Sequence, residues 1–370
     1  MILVAVMLSS ILIAAPGASN NNHVQLTMSL GEEWDSNAAR TLNLSSLDKE
    51  SDLLTRVIGE LKWAHIVNPS NSLVGTVLGG AKRFHSQQSE DVIVHNISLG
   101  SRHKLSPKWK LGTDVRFRMT RMRSVLRDYS LAQGDLRLDW LGIKSVESGL
   151  TVSAKRFMFP TETRLSYYGG SVTLGFSGKL SEHMQWRTTG TYERDEFGGN
   201  ALTTVFDPNN NQMTVTFCDE EDSRFLQTCM SQPRQDDILV ARLGLFYQRF
   251  FLLRGNLFFE RRRSNSVYED INRVGLTVST TLEMFAGIML NALASIQYTS
   301  EQSLSQNLYQ FQPEDDENQN RITLQLSREI ISQVDLLVRY EYFSNAFATS
   351  DTLFTRQTAF VGLRFDTQSS

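Results

Sequence analysis

Six histidines and two cysteines are the whole imidazole and thiol chemistry of this 370-residue chain. His23, His65, His85, His95, His103 and His183 are scattered, and none forms an H-E-x-x-H pair. There is no G-x-S-x-G turn and no phosphate-cradling P-loop. No acid or nucleophile stands at a defined spacing from His65 or His183, so both read as interfacial rather than catalytic. The sequence therefore offers no catalytic residue, no metal site and no cofactor site. Cys218 and Cys229 lie close together in one polar stretch. With no histidine nearby they are too few soft ligands for zinc. In an oxidising compartment they would form a disulfide, whose loop of about 12 residues would remove about 3 kcal/mol of unfolded-state freedom. Carboxylates cluster in Cys-Asp-Glu-Glu-Asp at 218–222 and Glu-Asp-Asp-Glu at 314–317. Either these are solvated rims or they bridge divalent cations to a phosphate-bearing partner.

What remains is arginine and lysine, and their spacing is informative. The chain carries 37 Lys plus Arg against 40 Asp plus Glu, a formal charge of -3, which argues against a wholly basic nucleic-acid binder. The bases recur at every second residue. Between 109 and 118, Trp109, Leu111, Val115 and Phe117 share one face, and Lys110, Asp114, Arg116 and Arg118 the other. Leu136, Leu138 and Trp140 likewise oppose Asp135, Arg137 and Asp139, and Val274, Leu276 and Val278 oppose Arg273, Thr277 and Ser279. A period of two belongs to strands, whose successive side chains point to opposite faces.

Sixteen such segments lie near 23–34, 52–66, 72–84, 91–104, 108–119, 134–144, 148–158, 167–180, 183–195, 236–249, 251–263, 269–284, 286–300, 319–331, 334–346 and 353–366. The connections alternate between tiny turns and longer loops, the longest being 196–235. A spanning helix needs about 20 apolar residues, and none occurs after residue 15; Met284 to Ala294 is too short. An even strand count with turns on one side and loops on the other predicts an all-β fold, a transmembrane antiparallel up-and-down β-barrel of about 16 strands. A soluble sandwich has shorter strands and no such loop rhythm. Hydrocarbon offers backbone groups no partner, so the sheet must close, with its apolar faces outward. Trp63, Trp109, Trp140 and Trp186 fall near the short turns, as an interfacial girdle would. Met1 to Ala15 is apolar and runs into Ala-Pro-Gly-Ala-Ser at 15–19. This reads as a cleaved signal peptide over 1–19. One barrel over 20–370 follows, with loop 196–235 extracellular and residence in the outer membrane.

Parity then places Arg56, Lys62, Arg102, Lys110, Arg116, Arg118, Arg137, Lys155, Lys179, Arg187, Arg242, Arg254, Arg262, Arg273, Arg321, Arg339, Arg356 and Arg364 in the lumen. It places Glu60, Asp114, Asp135, Asp139, Glu193, Glu260, Glu283, Glu329 and Glu341 with them, an expected excess of nine positive charges. One sign of charge along a low-dielectric wall concentrates counter-ions, and rings of bases favour anions. Alternatively, many of these bases only pair with acids across strands. Arg261 to Arg263 end a segment at the long-loop rim, where lipopolysaccharide phosphates would lie.

The closing strand Thr358-Ala-Phe-Val-Gly-Leu-Arg-Phe365 resembles the last strand of bacterial outer-membrane proteins. The opening Ser29-Leu-Gly-Glu-Glu-Trp-Asp-Ser-Asn37 with Ala38-Ala-Arg40 resembles that of β-barrel porins associated with exopolysaccharide operons. The resemblance implies a channel for passive diffusion or export of anionic solutes or polysaccharide. Its partners would be membrane lipid, lipopolysaccharide and an envelope export component. In general porins the loop matching 120–133 folds into the lumen. Here that loop, with Arg121, Arg123 and Arg127, would either narrow the lumen or stand as a plain hairpin. Two other readings stay open: a closed structural or receptor barrel that binds a partner through its loops, and a barrel enzyme with dispersed catalytic groups.

Overall fold

A computed structural model describes residues 22–38, 50–124, 128–143, 145–207, 212–217, 232–266, 269–301, 320–344 and 355–368. Its strands are β1 (Asn22–Asp35), β2 (Asp52–Asn68), β3 (Asn71–Phe84), β4 (Val92–Lys104), β5 (Trp109–Met122), β6 (Tyr129–Ile143), β7 (Val146–Met158), β8 (Tyr167–Lys179) and β9 (Met184–Asn200). There follow β10 (Leu202–Asp207), β11 (Gln212–Phe217), β12 (Pro233–Gln248), β13 (Leu252–Ser264), β14 (Ile271–Glu283), β15 (Ile288–Glu301), β16 (Asn320–Ile331), β17 (Val334–Ser344) and β18 (Thr355–Gln368). All but β10 and β11 form one closed antiparallel barrel, sealed where β1 meets β18 from Gln25 opposite Gln368 to Asp35 opposite Thr358. Each of the sixteen segments read from alternation is one barrel strand.

The differences have local causes. β6 begins at Tyr129, earlier than 134, where alternation starts, since its first outward residues, Ser130 and Ala132, are too small to give an apolar signal. β9 runs on to Asn200 through Arg194-Asp-Glu, which is polar on both faces. Within the expected loop 196–235, β10 and β11 pair as a separate hairpin.

Leu150, Val172, Leu174, Leu257, Leu276 and Val278 project outward and stay exposed. In water this would be an unfavourable surface, and in hydrocarbon it is the solvated one. Trp109 stands opposite Trp140 at the short-turn end of β5 and β6, their rings 6.4 Å apart. Trp63 stacks on His65 near the end of β2.

Val278→Arg should destabilise the barrel by about 2–4 kcal/mol, the cost of a guanidinium near the membrane midplane. Ser279→Leu, one residue along and facing inward, should cost clearly less. Denaturant titration of protein reconstituted in vesicles measures both, and equal losses would mean that the faces are reversed.

Candidate functional site in the barrel lumen

The inward face is set by register: residues directly opposite each other share a side of the sheet. The bases assigned inward by alternation share the face that carries Glu33 and Glu341. The same face holds carboxylates that alternation missed, namely Glu33, Asp35, Asp52, Glu147, Asp195, Asp236, Asp335 and Asp366. Lys82, Lys104 and Arg234 join the bases. Eight more acids and three more bases reduce the expected excess of nine positive charges to four among the described strand residues.

These charges separate along the barrel axis into two regimes. Towards the long loops they are buried and paired. Glu33, 1% exposed, accepts from Arg56 and Lys82 at 2.7 Å each and lies 3.6 Å from Arg339. Arg339 also approaches Glu341, which takes Arg321 at 2.5 Å. Arg356 grips fully buried Asp35. This network crosses from β16 to β3, including the β1–β18 seam. Phe360 lies at its centre, with the guanidinium carbons of Arg56 and Arg339 at 5.8 and 5.1 Å from its ring centre. The ring lies over Gly31 and Gly362, where a Cβ would come within 2.7 and 2.5 Å of it.

A second network covers β12–β14. Arg234 binds Asp236 at 2.7 Å and Glu269 at 3.3 Å, while Arg262 and Arg273 share Glu260 at 3.8 and 3.6 Å. Between the two runs an aromatic row, with Tyr129, Phe157, Tyr167 and Phe197 on adjacent strands β6–β9. Tyr129 stacks on Phe157 at 5.3 Å and Phe157 on Tyr167 at 5.2 Å. Lys155 caps Tyr167 at 4.7 Å and Arg234 caps Phe197 at 4.3 Å. Lys155 also bridges Glu193 and Asp195. Alternation gave no hint of these inward aromatics, because it treats every apolar side chain as lipid-facing. The missed signal was their parity: Phe157 is in phase with Lys155.

Towards the short turns the lumen differs. Lys104, Lys110, Arg116, Lys179, Arg187, Arg242 and Arg254 are exposed. None meets a carboxylate within 4.0 Å among the described residues. Lys62, Arg102, Arg137 and Arg364 do pair there, with Glu60, Asp114, Asp139 and Asp335. A recess of about 530 Å³ opens between Arg102, Lys104, Lys110 and Arg137 on one side and Asp139, Glu147 and the Asn68–Ser72 turn on the other. Arg187, Arg242 and Arg254 occupy neighbouring strands β9, β12 and β13 at nearly one level, Arg187 opposite Gly244 and Arg254 opposite Phe246. Such an arc of solvated, uncompensated guanidinium groups attracts anions and holds none tightly.

Of the two alternatives for 120–133, the placement of Arg121 and Arg123 favours the plain hairpin. β5 extends to Met122 and leaves 123–128 as the connection, so most of 120–133 is strand. Arg121 stands opposite Ile93 on the outward face and pairs with Asp128 at 2.9 Å. Arg123 donates to Gln88 at 2.8 Å, beside the 88–90 turn. Arg127 lies outside the described residues, as do Cys218, Cys229, the acidic runs 218–222 and 314–317, and segment 1–19. Arg262 turns inward while Arg261 and Arg263 face outward. Among the described residues no group of three His, Cys, Asp or Glu could hold a metal ion.

No family model matches the chain, and no curated protein matches it. Solved structures do. OmpT, an outer membrane protein of Vibrio cholerae, aligns over 95% of this chain and 99% of its own, with 10% identity and a TM-score of 0.46. A bacterial polysaccharide outer membrane secretin aligns over 94% and 99%, with 8% identity and a TM-score of 0.44. A deletion mutant of the TodX monoaromatic hydrocarbon channel aligns over 95% and 91%, with 9% identity and a TM-score of 0.41. No functional inference follows from likeness at this level.

Proposed function

We propose that this chain is an outer-membrane channel for passive diffusion or export of anionic solutes or anionic polysaccharide. The observation that carries the reading is the arc of exposed, unpaired bases in the short-turn half of the lumen. Its members Lys179, Arg187, Arg242 and Arg254 face water rather than carboxylates. Sixteen strands leave room for an aqueous path. The paired layer towards the loops fixes the wall, and the free bases beneath it set its potential. The apolar outward belt supports residence in a bilayer, and the apolar segment 1–15 supports export as a cleaved signal. The resemblance to porins of exopolysaccharide operons supports an anionic polymer as cargo.

A second reading is a closed structural or receptor barrel. It is favoured by the aromatic row and the buried ion networks, which thicken the wall on the loop side. Single-channel recording in a planar bilayer separates the two: stepwise conductance supports the channel, and a silent, correctly inserted protein supports the closed barrel.

The cysteine pair belongs to the same reading. Cys218 and Cys229 are expected to be extracellular and disulfide-bonded. A thiol reagent on intact cells should label them only after reduction. Labelling without reductant would contradict the bond, and labelling only after the outer membrane is permeabilised would invert the barrel.

A further inference from the structure

We propose that the outward face of β7–β9, β12 and β13 at the long-loop rim binds the phosphate groups of an outer-leaflet glycolipid. The inference rests on the outer-membrane reading above, not on conduction. Arg156, Arg194, Arg261 and Arg263 all project from this sector, on the lipid side and exposed. The Arg156 guanidinium stacks over Tyr168 at 4.9 Å. Arg194 donates to Gln235 at 2.6 Å and reaches Glu196 only at 4.0 Å. Arg261 and Arg263 meet no carboxylate among the described residues. Asp237 stands opposite Arg263 and Arg194 but accepts from the Tyr192 hydroxyl at 2.7 Å.

Position sets what these cations face. Immediately below them the same strands present Val172, Leu174, Leu239, Leu257 and Phe259, all exposed. Arginine directly beyond an aliphatic band lies at headgroup height, its stem along acyl chains and its head in the polar layer. Guanidinium is suited to phosphate there because it can donate two parallel hydrogen bonds. The four residues span four interstrand steps, about 19 Å at roughly 4.8 Å each. This is wider than one free phosphate and suits a headgroup bearing more than one. Among the described strand residues, the outward long-loop rim elsewhere offers Arg83 and Arg121, and Arg121 pairs with Asp128.

The test reconstitutes the full chain in phosphatidylcholine vesicles containing either bisphosphorylated lipid A or its dephosphorylated form. Insertion is scored first, by heat-modifiable migration. Lipid retained through detergent extraction is then counted by native mass spectrometry. The protein should retain about tenfold more of the phosphorylated lipid. Replacing the four arginines together with alanine should bring the two lipids to parity. The inward set Arg187→Ala, Arg242→Ala and Arg254→Ala should leave the preference intact. Equal retention of both lipids by the inserted protein, or an unchanged preference in the outward variant, would overturn the site alone. Displacement of the lipid by millimolar inorganic phosphate would overturn the lipid assignment. Failure to insert into either vesicle would overturn the membrane reading beneath it.

Discussion

Glu33→Ala is expected to destabilise the barrel by about 3–5 kcal/mol, the cost of stripping one partner from a buried ion network. Glu33 is 1% exposed and faces Arg56, Lys82 and Arg339. Its loss leaves Arg56, Lys82 and Arg339 without the carboxylate they share, two of them against the Phe360 ring. The lesion also sits on the β1–β18 seam, which joins strands far apart in sequence. Glu60→Ala is the control, because its pair with Lys62 is half open to water and exposed pairs contribute about 1 kcal/mol or less. Denaturant unfolding followed by tryptophan fluorescence measures both. Equal losses would show that the buried network does not hold the seam.

Reversing Arg187, Arg242 and Arg254 to Glu together should turn the permeability preference from anions to cations, with a change of about tenfold or more. These groups are exposed and meet no carboxylate among the described residues, so the substitution removes no ion pair and folding should survive. Reversing outward Arg261 and Arg263 changes the same kind of charge outside the lumen and should leave selectivity unchanged. Bi-ionic potentials of both variants make the comparison. An unchanged preference in the inward variant would place the selective charges elsewhere.

Most of the barrel was legible because lipid imposes a rule that the sequence must obey on every strand. Leu138 beside Arg137, or Val278 beside Ser279, declares both faces at once. The rule fails where neither neighbour is apolar. Glu32 and Glu33 are adjacent acids, and only the pairing of β1 with β18 shows that Glu33 is the inward one. It fails again where the lumen buys stability with apolar side chains. Tyr167 and Phe197 face inward beneath cations, with Phe157 stacked on Tyr167, and a rule that sends every apolar side chain to lipid overlooks their parity. Arg121 lies in a stretch whose alternation continues past the expected end of its strand. An extension of a few residues was enough to move it from a loop to the lipid face. Parity put the bases on the inward face but missed eight acids there, and so overstated the positive excess. The division into a buried, paired layer towards the loops and an exposed, partly paired one towards the turns could not be read, because pairing depends on register.

The free bases of the short-turn half should make the lumen attractive to anions. The reversal potential of the unmodified protein across a potassium chloride gradient tests it most directly. Chloride should be preferred at low salt, and the preference should fade as salt rises, since the screening length falls to about 3 Å at 1 M. Potassium preference, or a preference independent of salt, would contradict it.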